Sequence, residues 1–482
     1  MRKVVYVLAL ALVMSSTAFA QKKNKNQKED KKEYQFTLVK ENPVTSVKDQ
    51  NRSGTCWAYS ALSYIESEIL KAGKGEYDLS EMWIVRNAYM EKAERYIRFH
   101  GSATFAEGGA FQDIPYIIKK YGIVPEEVYR GLNYGTDAPD FSSVSPVLES
   151  FVKALAQSKK LTTNWREALN ALLDSYFGPV PEKFTYKGKE YTPKSFAASL
   201  GLNFDDYIEI GSFTHHPFYQ PFMLEVQDNW LHANIYNVKL DELIEIMDKA
   251  IMDGYTIGWG SDVSEKGFSW KNGVAIVPDE DKKDLSGTEK EKWEKLTPAE
   301  KAAATYSFDG SAKEKTITQE MRQEGFDDFT TTDDHGMHIV GIYKDAKGNK
   351  FYKVKNSWGD SGKYNGYFYA SEAFVRYKTI DIQINKNALS AETRTHTLSS
   401  ILHHRNTILV SNRHNLVDTI RHTIQSYRHY SLRIFASLLF TVENSLLQQN
   451  RIHVPCFTLR TYEHWLGTKI CNRMTRSTEC ET

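Results

Sequence analysis

The sequence predicts an α+β fold with a helical N-terminal half and an antiparallel, β-rich C-terminal half. In residues 56–70 the apolar side chains recur at helical spacing and form a single stripe. Three short segments rich in β-branched and aromatic residues follow one another later in the chain, at 333–342, 351–356 and 364–368. Strands that succeed each other directly favour antiparallel pairing, so we expect helices and strands to occupy separate lobes.

The composition is that of a globular protein rather than of a nucleic-acid-binding one. The 482 residues include 61 Lys and Arg and 61 Asp and Glu, so the formal net charge is zero. The sequence has no basic patch with interleaved aromatic residues, and we therefore predict no nucleic-acid partner. The length allows two or three domains.

Residues 1–20 are predicted to be a signal peptide. A positive start at Arg2-Lys3 is followed by the short apolar run 4–14 and by the small-x-small site Ala18-Phe19-Ala20. The apolar run is too short to span a membrane, and no cysteine follows the cleavage site, so no membrane anchor is expected. This segment predicts an exported protein, periplasmic or secreted, of a bacterium.

Two further segments differ from the rest of the chain in composition. Residues 21–42 are polar and rich in Lys and are predicted to form a flexible linker. From Ser390 onward Arg replaces Lys, His becomes frequent and Gly almost disappears. Residues 390–482 are therefore predicted to be an anomalous tail outside the main fold. They are either a separate appendage or the product of a frameshift or read-through, and we favour the second.

The sequence between these ends is divided into three parts. Residues 43–134 are predicted to form the helical lobe, residues 135–236 a large helical and mixed insertion, and residues 237–389 the β-rich lobe. Residues 240–251 have the pattern of an amphipathic helix, which Gly254 ends. The insertion carries no catalytic motif.

Cys56 is the only cysteine before Cys456, so it has no disulfide partner in the predicted body of the protein. It lies at the predicted start of a helix, where the partial positive charge favours a thiolate and lowers a cysteine pKa. An inert buried thiol is the other interpretation, because free cysteines often pack as small apolar residues. The motifs elsewhere in the chain favour a nucleophile.

Several motifs occur together with this cysteine. In chain order they are Gln50, Cys56-Trp57, Gly108-Gly109, Asp334-His335-Gly336 and Asn356-Ser357-Trp358-Gly359. This set resembles the papain-like cysteine peptidases, most closely the bleomycin hydrolase and bacterial aminopeptidase C branch. The resemblance covers about residues 43–389. Ser53 departs from the pattern, since many members carry a disulfide-forming cysteine there.

The resemblance implies a two-lobed papain-like fold and a catalytic role for four residues. Cys56 would be the thiolate nucleophile, and His335 would pair with it and later protonate the leaving amine. Asn356 would hold the imidazole ring in its orientation. Gln50 and the backbone N–H of Cys56 would form an oxyanion hole.

Four more residues are assigned to substrate binding by the same resemblance: Gly108, Gly109, Asp334 and Trp358. The two glycines would bind an extended peptide backbone, and Trp358 would cover the His–Asn pair and exclude water. Neither a metal ion nor a cofactor is required for this chemistry.

Three other histidines are candidates for a functional role. His338 lies three residues after His335, so on a strand it points to the opposite face, and we interpret it as a core histidine. His215 and His216 are adjacent, and adjacent side chains of an extended chain point apart. With no carboxylate at ligand spacing, we predict no metal site there.

We therefore predict an exported cysteine peptidase that hydrolyses peptides through a thioester, most consistent with an aminopeptidase. In the branch it resembles, aminopeptidase behaviour depends on the chain's own C-terminus lying in the cleft of a hexamer, so a homo-oligomer is also expected. A papain-like endopeptidase is the first alternative. The second is a non-catalytic secreted binding or scaffold protein, which the complete set of four catalytic residues disfavours.

Overall fold

The structure is a computed structural model that describes residues 33–279, 287–391 and 393–394. The predicted signal peptide and most of the predicted linker and tail lie outside the described residues. Within the described residues, no helix combines the length and the apolar character that crossing a membrane requires.

Three helices form the centre of the helical lobe: α1 (Cys56–Lys71), α2 (Glu81–Arg98) and α3 (Asp113–Tyr121). The predicted helix thus begins at Cys56. At the start of α2 the hydroxyl of Ser80 accepts a hydrogen bond from the backbone N–H of Trp83, so Ser80 is the N-cap of this helix. Leu62, Ile65 and Trp83 are buried in one continuous core of this lobe.

The predicted insertion has two structural parts. The first part adds helices and a small hairpin to the helical lobe: α4 (Val144–Ala156), α5 (Trp165–Phe177), β2 (Phe184–Tyr186), β3 (Lys189–Tyr191) and α6 (Pro193–Ser199). The second part forms three strands of the main sheet: β4 (Tyr207–Gly211), β5 (Pro221–Met223) and β6 (Asn234–Asn237). The sheet therefore begins before residue 237, the start predicted for the β-rich lobe.

A sheet of eleven strands forms the β-rich lobe. Besides β4, β5 and β6 it contains β1 (Thr37–Glu41), β7 (Ile257–Ser261), β8 (Phe268–Ser269), β9 (Val274–Ala275), β10 (His335–Lys344), β11 (Lys350–Lys355), β12 (Tyr367–Ser371) and β13 (Thr379–Asn385). The strand order is β5-β6-β4-β13-β7-β10-β11-β12-β9-β8, and β1 pairs with β10 beside β7. Pairing is antiparallel except between β4 and β6 and between β9 and β12. The predicted antiparallel, β-rich lobe is confirmed.

Five helices accompany the sheet: α7 (Leu240–Met252), α8 (Gly287–Glu294), α9 (Pro298–Thr305), α10 (Gln319–Asp327) and α11 (Glu372–Lys378). The predicted amphipathic helix is α7, and its residues Leu243, Met247 and Ile251 are fully buried. They pack with Trp259 and Met337 in the core of the β-rich lobe. This core lies behind the strands that carry the C-terminal motifs.

The last residues of the predicted linker belong to the fold. β1 pairs with β10, with Glu41 opposite Gly341. Just before β1, the Phe36 ring stacks on Tyr369 at a centroid distance of 3.9 Å and meets Phe351 edge-on at 5.1 Å. The prediction of a linker up to residue 42 is therefore wrong at its C-terminal end, because this aromatic cluster and the strand order the chain.

The two lobes meet where β10 crosses the first turns of α1. A Cβ atom added to Gly336 would lie 2.8 Å from Ser60 Oγ and 3.2 Å from Trp57 Cα. Such distances are shorter than van der Waals contact, so only glycine allows this approach. One turn further along α1, Ser63 Oγ lies 2.9 Å from Nδ1 of His338. These contacts fix the position of β10 against the N-terminal end of α1.

Candidate active site

One cavity between the lobes is lined by residues from both of them. Cys56 and Trp57 come from α1, and Gly109 comes from the loop before α3. His335 and Gly336, the first residues of β10, line the opposite wall. The structure therefore brings together the predicted nucleophile and the predicted base, which are far apart in the sequence.

Cys56 is the first residue of α1, and its thiol faces this cavity half-buried. Burial raises the pKa of the Cys56 thiol to about 12, and the negative charges of Asp333 and Asp228 add to the rise. Hydrogen bonds from the backbone N–H groups of Gly336 and Trp57 act in the opposite direction. The pKa lowering expected from the helix N-terminus is thus outweighed, because removal from water disfavours an isolated thiolate.

The imidazole of His335 is held by Asn356. Nε2 of His335 lies 2.8 Å from Oδ1 of Asn356, and both side chains are buried. The same Oδ1 accepts a hydrogen bond of 2.8 Å from the backbone N–H of Ser357, which identifies it as the amide oxygen. An oxygen can only accept, so Nε2 of His335 carries a proton. Nδ1 is the nitrogen left for proton transfer.

Trp358 covers the His335 side chain. The two rings stack at a centroid distance of 4.9 Å with an interplanar angle of 28°. Phe268 and Trp270 pack edge-on against Trp358 at 6.0 and 5.1 Å. This aromatic group shields the histidine from solvent on one side, which strengthens its hydrogen bond to Asn356.

Both the oxygen and the nitrogen of the Gln50 side-chain amide are hydrogen-bonded to the protein. Its Nε2 donates to the backbone carbonyl of Ser53 at 2.7 Å, and its Oε1 accepts from the hydroxyl of Ser357 at 2.6 Å. The backbone N–H of Gln50 also donates to the Ser357 carbonyl at 2.8 Å. Because an amide nitrogen carries two hydrogens, one N–H of Gln50 is left for another acceptor.

The two predicted substrate-binding glycines lie in tightly packed positions. A Cβ atom on Gly109 would lie 2.6 Å from Oδ2 of Asp113 and 2.8 Å from the Trp57 ring. A Cβ atom on Gly108 would lie 2.0 Å from Oδ2 of Asp228. Gly109 lines the cavity, and the Gly108 carbonyl accepts a hydrogen bond from Nζ of Lys92. Packing against the Trp57 ring therefore requires glycine at 109, whereas at 108 the close contact is with the Asp228 carboxyl group alone.

Asp334 lines the cavity rim, and its carboxylate is engaged with the protein itself. Its oxygens accept hydrogen bonds from the backbone N–H groups of Val263 at 2.9 Å and Ser264 at 3.1 Å. These bonds hold the loop after β7 next to β10. The carboxylate of the preceding residue, Asp333, has no hydrogen bond to any described residue and lines the same cavity.

The interpretation of His338 as a core histidine is confirmed. His338 is fully buried, and its Nδ1 faces the hydroxyl of Ser63 at 2.9 Å. The ammonium of Lys355 donates to the same hydroxyl at 2.7 Å, so Ser63 donates its single proton to His338. Burial, and next the charge of Lys355, lower the pKa of His338 far below its usual range.

The geometry expected for His215 and His216 is wrong. Both rings turn to the same side, at a centroid distance of 4.5 Å, and their Nε2 atoms lie 3.1 and 2.6 Å from the carboxylate of Glu225. No spacing pattern in the sequence indicates this arrangement, because both histidines lie in the loop before β5 and Glu225 follows β5. Gln323 accepts from the backbone N–H of Thr214 through Oε1, so its Nε2 donates to Nδ1 of His215. Because Nδ1 of His215 accepts a hydrogen bond, the ring proton lies on Nε2, which donates to Glu225.

Three acidic residues of the cavity were missed in the sequence: Asp228, Asp333 and Asp381. Signals for two of them were present. Asp333 doubles the acidic residue before His335, and Asp381 is a charged residue within the strand pattern of β13, between Ile380 and Ile382. Asp228 lies in the insertion, where no pattern connects it to the cleft. Ser357, the hydroxyl that orients Gln50, was seen only as part of its motif.

Comparisons with known proteins identify the family of the chain. The Peptidase C1-like family matches residues 3–164 and 305–404 of the chain. An aminopeptidase C of Streptococcus thermophilus is 23% identical over an alignment of 391 positions that covers 72% of this chain and 81% of that protein. An aminopeptidase C of Lactobacillus helveticus is 24% identical over an alignment of 399 positions that covers 72% of this chain and 80% of that protein. The crystal structure of PepW from Lactobacillus rhamnosis HN001 has a TM-score of 0.58 at 20% identity and covers 76% of this chain and 85% of that one.

The fold and these relatives define the protein as a papain-like cysteine peptidase. The family match covers more than half of the sequence. The chain therefore belongs to the Peptidase C1-like family, and its similarity to aminopeptidase C proteins places it in that branch. The predicted family and two-lobed α+β fold are confirmed.

Replacing Gly336 by Ala tests how closely the two walls of the cavity must approach. The added methyl group would collide with Ser60 Oγ and with the Trp57 backbone. We expect a loss of about 1–3 kcal/mol in the free energy of unfolding, as for other overpacked sites. We also expect kcat to fall by about a hundredfold, because a displacement of about 1 Å between reacting groups has that effect.

Chemical denaturation and peptidase assays measure the two effects of Gly336→Ala. Ser60→Ala is the matched control, since it removes the nearest contact atom without adding one. Gly336→Ala in the Ser60→Ala background should recover part of the lost stability. Full activity and stability of Gly336→Ala would contradict the close approach of β10 to α1.

Proposed function

We propose that the protein is an exported cysteine aminopeptidase in which Gln50, Cys56, His335 and Asn356 perform catalysis. The observation that carries the proposal is the hydrogen bond from Nε2 of His335 to Oδ1 of Asn356. This hydrogen bond leaves Nδ1 as the only nitrogen of the His335 ring that is able to accept a proton. His335 and Cys56 line the same cavity. This is the arrangement of a nucleophile, a base and an orienting third residue.

The first step is proton transfer from the Cys56 thiol to Nδ1 of His335. Burial raises the pKa of Cys56 to about 12, and burial also lowers the pKa of His335. Either charge formed alone is therefore unfavourable. The transfer forms thiolate and imidazolium together, and their mutual attraction offsets the desolvation of both.

The thiolate then attacks the carbonyl carbon of the substrate peptide bond and forms a C–S bond. The carbonyl oxygen becomes an oxyanion, which the free N–H of Gln50 and the backbone N–H of Cys56 stabilise. The C–N bond breaks as the imidazolium of His335 gives its proton to the leaving amine. A water molecule, deprotonated by His335, hydrolyses the thioester and regenerates Cys56.

The aminopeptidase specificity is proposed from the relatives. The aminopeptidase C proteins of Streptococcus thermophilus and Lactobacillus helveticus are similar to this chain over about four-fifths of their own length. Assembly into a hexamer with a C-terminal segment in the cleft is proposed on the resemblance alone. Residues 395–482, which contain the end of the chain, lie outside the described residues.

Blocked and free peptides distinguish an aminopeptidase from an endopeptidase. We expect the coumarin amide of leucine with a free amino group to be hydrolysed at least about ten times faster, in kcat/KM, than its N-acetylated form. The physical reason is that a site built for a charged amine leaves its polar groups unpaired when the amine is acylated. Fluorescence release at neutral pH measures both rates. Equal or faster cleavage of the acetylated form would favour the endopeptidase.

Alkylation of Cys56 by iodoacetamide tests the proton transfer. With pKa about 12, an isolated thiol has only about one part in 10⁵ as thiolate at pH 7. We expect His335→Ala to reduce the alkylation rate at pH 7 by at least about a hundredfold. Above pH 7 the alkylation rate of this variant should rise about tenfold per pH unit, as the thiolate fraction does.

The alkylation rate at Cys56 is followed between pH 6 and pH 9 by mass spectrometry of the proteolytic peptide that contains it, because the sequence has three further cysteines. His100→Asn is the control, because His100 is an exposed loop residue whose positive φ of 51° asparagine tolerates. Rapid alkylation of His335→Ala at pH 7 would show that another group activates Cys56. Absence of any alkylation in the unmodified protein would favour the non-catalytic scaffold.

Export is proposed from the signal-peptide pattern of residues 1–20. We expect the protein recovered outside the cytoplasm to begin at Gln21, which intact mass spectrometry measures. Recovery of the full-length chain from the cytoplasm alone would contradict export.

A further inference from the structure

The wall of the cavity beside Cys56 is acidic. Asp228, Asp333 and Asp381 come from three separate parts of the chain and all line the cavity that contains the thiol. Asp333 precedes Asp334 and His335, Asp381 lies in β13, and Asp228 lies in the loop between β5 and β6. We call these three residues the acidic wall.

Asp381 is the buried member of the acidic wall. Its side chain is only 6% exposed, and its carboxylate makes no hydrogen bond or ion pair to another described residue. Oδ1 reaches across β7, where a Cβ atom on Gly260 would lie only 2.5 Å from it. Glycine at 260 therefore leaves the space that lets this carboxylate face the cavity. A buried carboxylate without a partner is costly unless something compensates its charge.

The nearest buried guanidinium does not neutralise Asp381 by contact. Arg322 donates from Nε to the backbone carbonyl of Ser212 at 2.8 Å, and its other nitrogens donate to the carbonyls of Arg376 and Ile380. Its charge lowers the pKa of Asp381, but burial dominates and raises that pKa to about 7. The fixed donors of Arg322 are thus used by the main chain.

Asp333 and Asp228 are half-buried and also have no hydrogen bond or ion pair to another described residue. Burial raises the pKa of Asp333 far above its usual range, and Asp381 and Asp228 raise it further. Burial raises the pKa of Asp228, and the charge of Lys92 acts against that rise. Its Nζ donates to the backbone carbonyls of Ala106 and Gly108 rather than to a carboxylate.

Two further buried carboxyl groups lie behind the acidic wall. Burial, and then the charges of Asp381 and Asp113, raise the pKa of Glu209. Burial raises the pKa of Asp113 to about 7, with Lys92 acting against the rise. Lys92 and Arg322 are thus the buried cations that these five carboxyl groups share. The cavity beside the thiol carries an excess of acidic groups that the described residues do not balance.

We propose that the acidic wall binds a positively charged group of the substrate, an ammonium or a guanidinium, next to the peptide bond that is cleaved. The inference rests on the proposed peptidase function, since it assigns part of the same cleft. The charged group has two possible sources. It is either the free α-amino group of the residue whose carbonyl Cys56 attacks, or the Lys or Arg side chain of a neighbouring residue.

Both sources fit the chemistry of the wall. A bound cation lowers the raised pKa values of these carboxyl groups, so that they ionise and form charge-assisted hydrogen bonds with it. It adds to the partial compensation by Lys92 and Arg322. A neutral group of the same size would leave the carboxylates desolvated and unpaired. The preference for a cation is therefore expected to be large, because the cavity is partly closed from water.

Two pairs of coumarin amide substrates separate the sources. The first pair is the leucine amide with a free or an acetylated amino group. The second pair is acetyl-lysyl-leucine amide and acetyl-norleucyl-leucine amide, which differ only in the side-chain charge. We expect at least one pair to give a ratio of kcat/KM, charged over neutral, of about ten or more.

Substitution of the wall tests whether it is the cause. In Asp333→Asn, Asp228→Asn and the double variant Asp333→Asn/Asp381→Asn, the ratio should fall at least about fivefold, most in the double variant. The rates for neutral substrates should rise, because the charges of Asp333 and Asp228 that oppose ionisation of the Cys56 thiol are removed. Glu245→Gln, which removes one exposed carboxylate of α7, should retain the ratio of the unmodified protein. Thermal unfolding checks that each variant is folded. If the double variant does not fold, the ratios measured for the single variants decide the inference.

The outcomes separate this inference from the proposed function. A ratio near one for both pairs in the unmodified protein, or a ratio that the wall variants leave unchanged, would overturn the acidic wall as a cation site. If no peptide is cleaved, the peptidase proposal fails, and calorimetric titration with the lysyl and norleucyl peptides still decides cation binding. Equal affinity for the two peptides would then overturn the inference.

Discussion

The close approach of β10 to the first turns of α1 is the constraint on which the site depends. Gly336 lies against Ser60 and the Trp57 backbone, where any side chain would collide. His335 precedes this contact by one residue, and Cys56 precedes Trp57 by one residue. The two residues that must react are therefore positioned by the same backbone contact. The contact of the main chain places His335, and the hydrogen bond to Asn356 then fixes the orientation of its imidazole ring.

A buried polar network supports this contact between the lobes. Thr45 donates to Glu66 at 2.5 Å, and Lys355 donates to Ser63 at 2.7 Å beside His338. Removing one partner from such a network leaves a buried polar group unsatisfied, which typically costs about 1–3 kcal/mol. The network therefore acts against any shift of β10 along α1, since such a shift would break several of these bonds at once. Directional hydrogen bonds define this register better than apolar contacts alone.

The sequence was sufficient for the motifs but not for the contacts between distant segments. The helix at Cys56, the Ser80 cap and the strand at His335 follow local patterns of spacing and capping, and the structure has all three. The linker boundary was misjudged because Phe36 is ordered by Tyr369 and Phe351, which are remote in sequence. His215, His216 and Glu225 converge through a turn, and no periodicity encodes a turn of that kind. The burial of the thiol likewise depends on the opposite lobe, so the helix N-terminus alone predicted the wrong direction for its pKa.

The acidic wall links substrate charge to the reactivity of the thiol. Burial is the main reason that the Cys56 thiol resists ionisation, but Asp333 and Asp228 contribute to it. A bound cation offsets those two charges, so the thiolate forms more readily in the complex than in the free protein. Part of this interaction is expressed only when the nucleophile is created, so the preference for a charged substrate appears in kcat as well as in the affinity for the substrate. The same carboxylates that keep the free thiol protonated would thus restrict its activation to substrates that carry the matching charge.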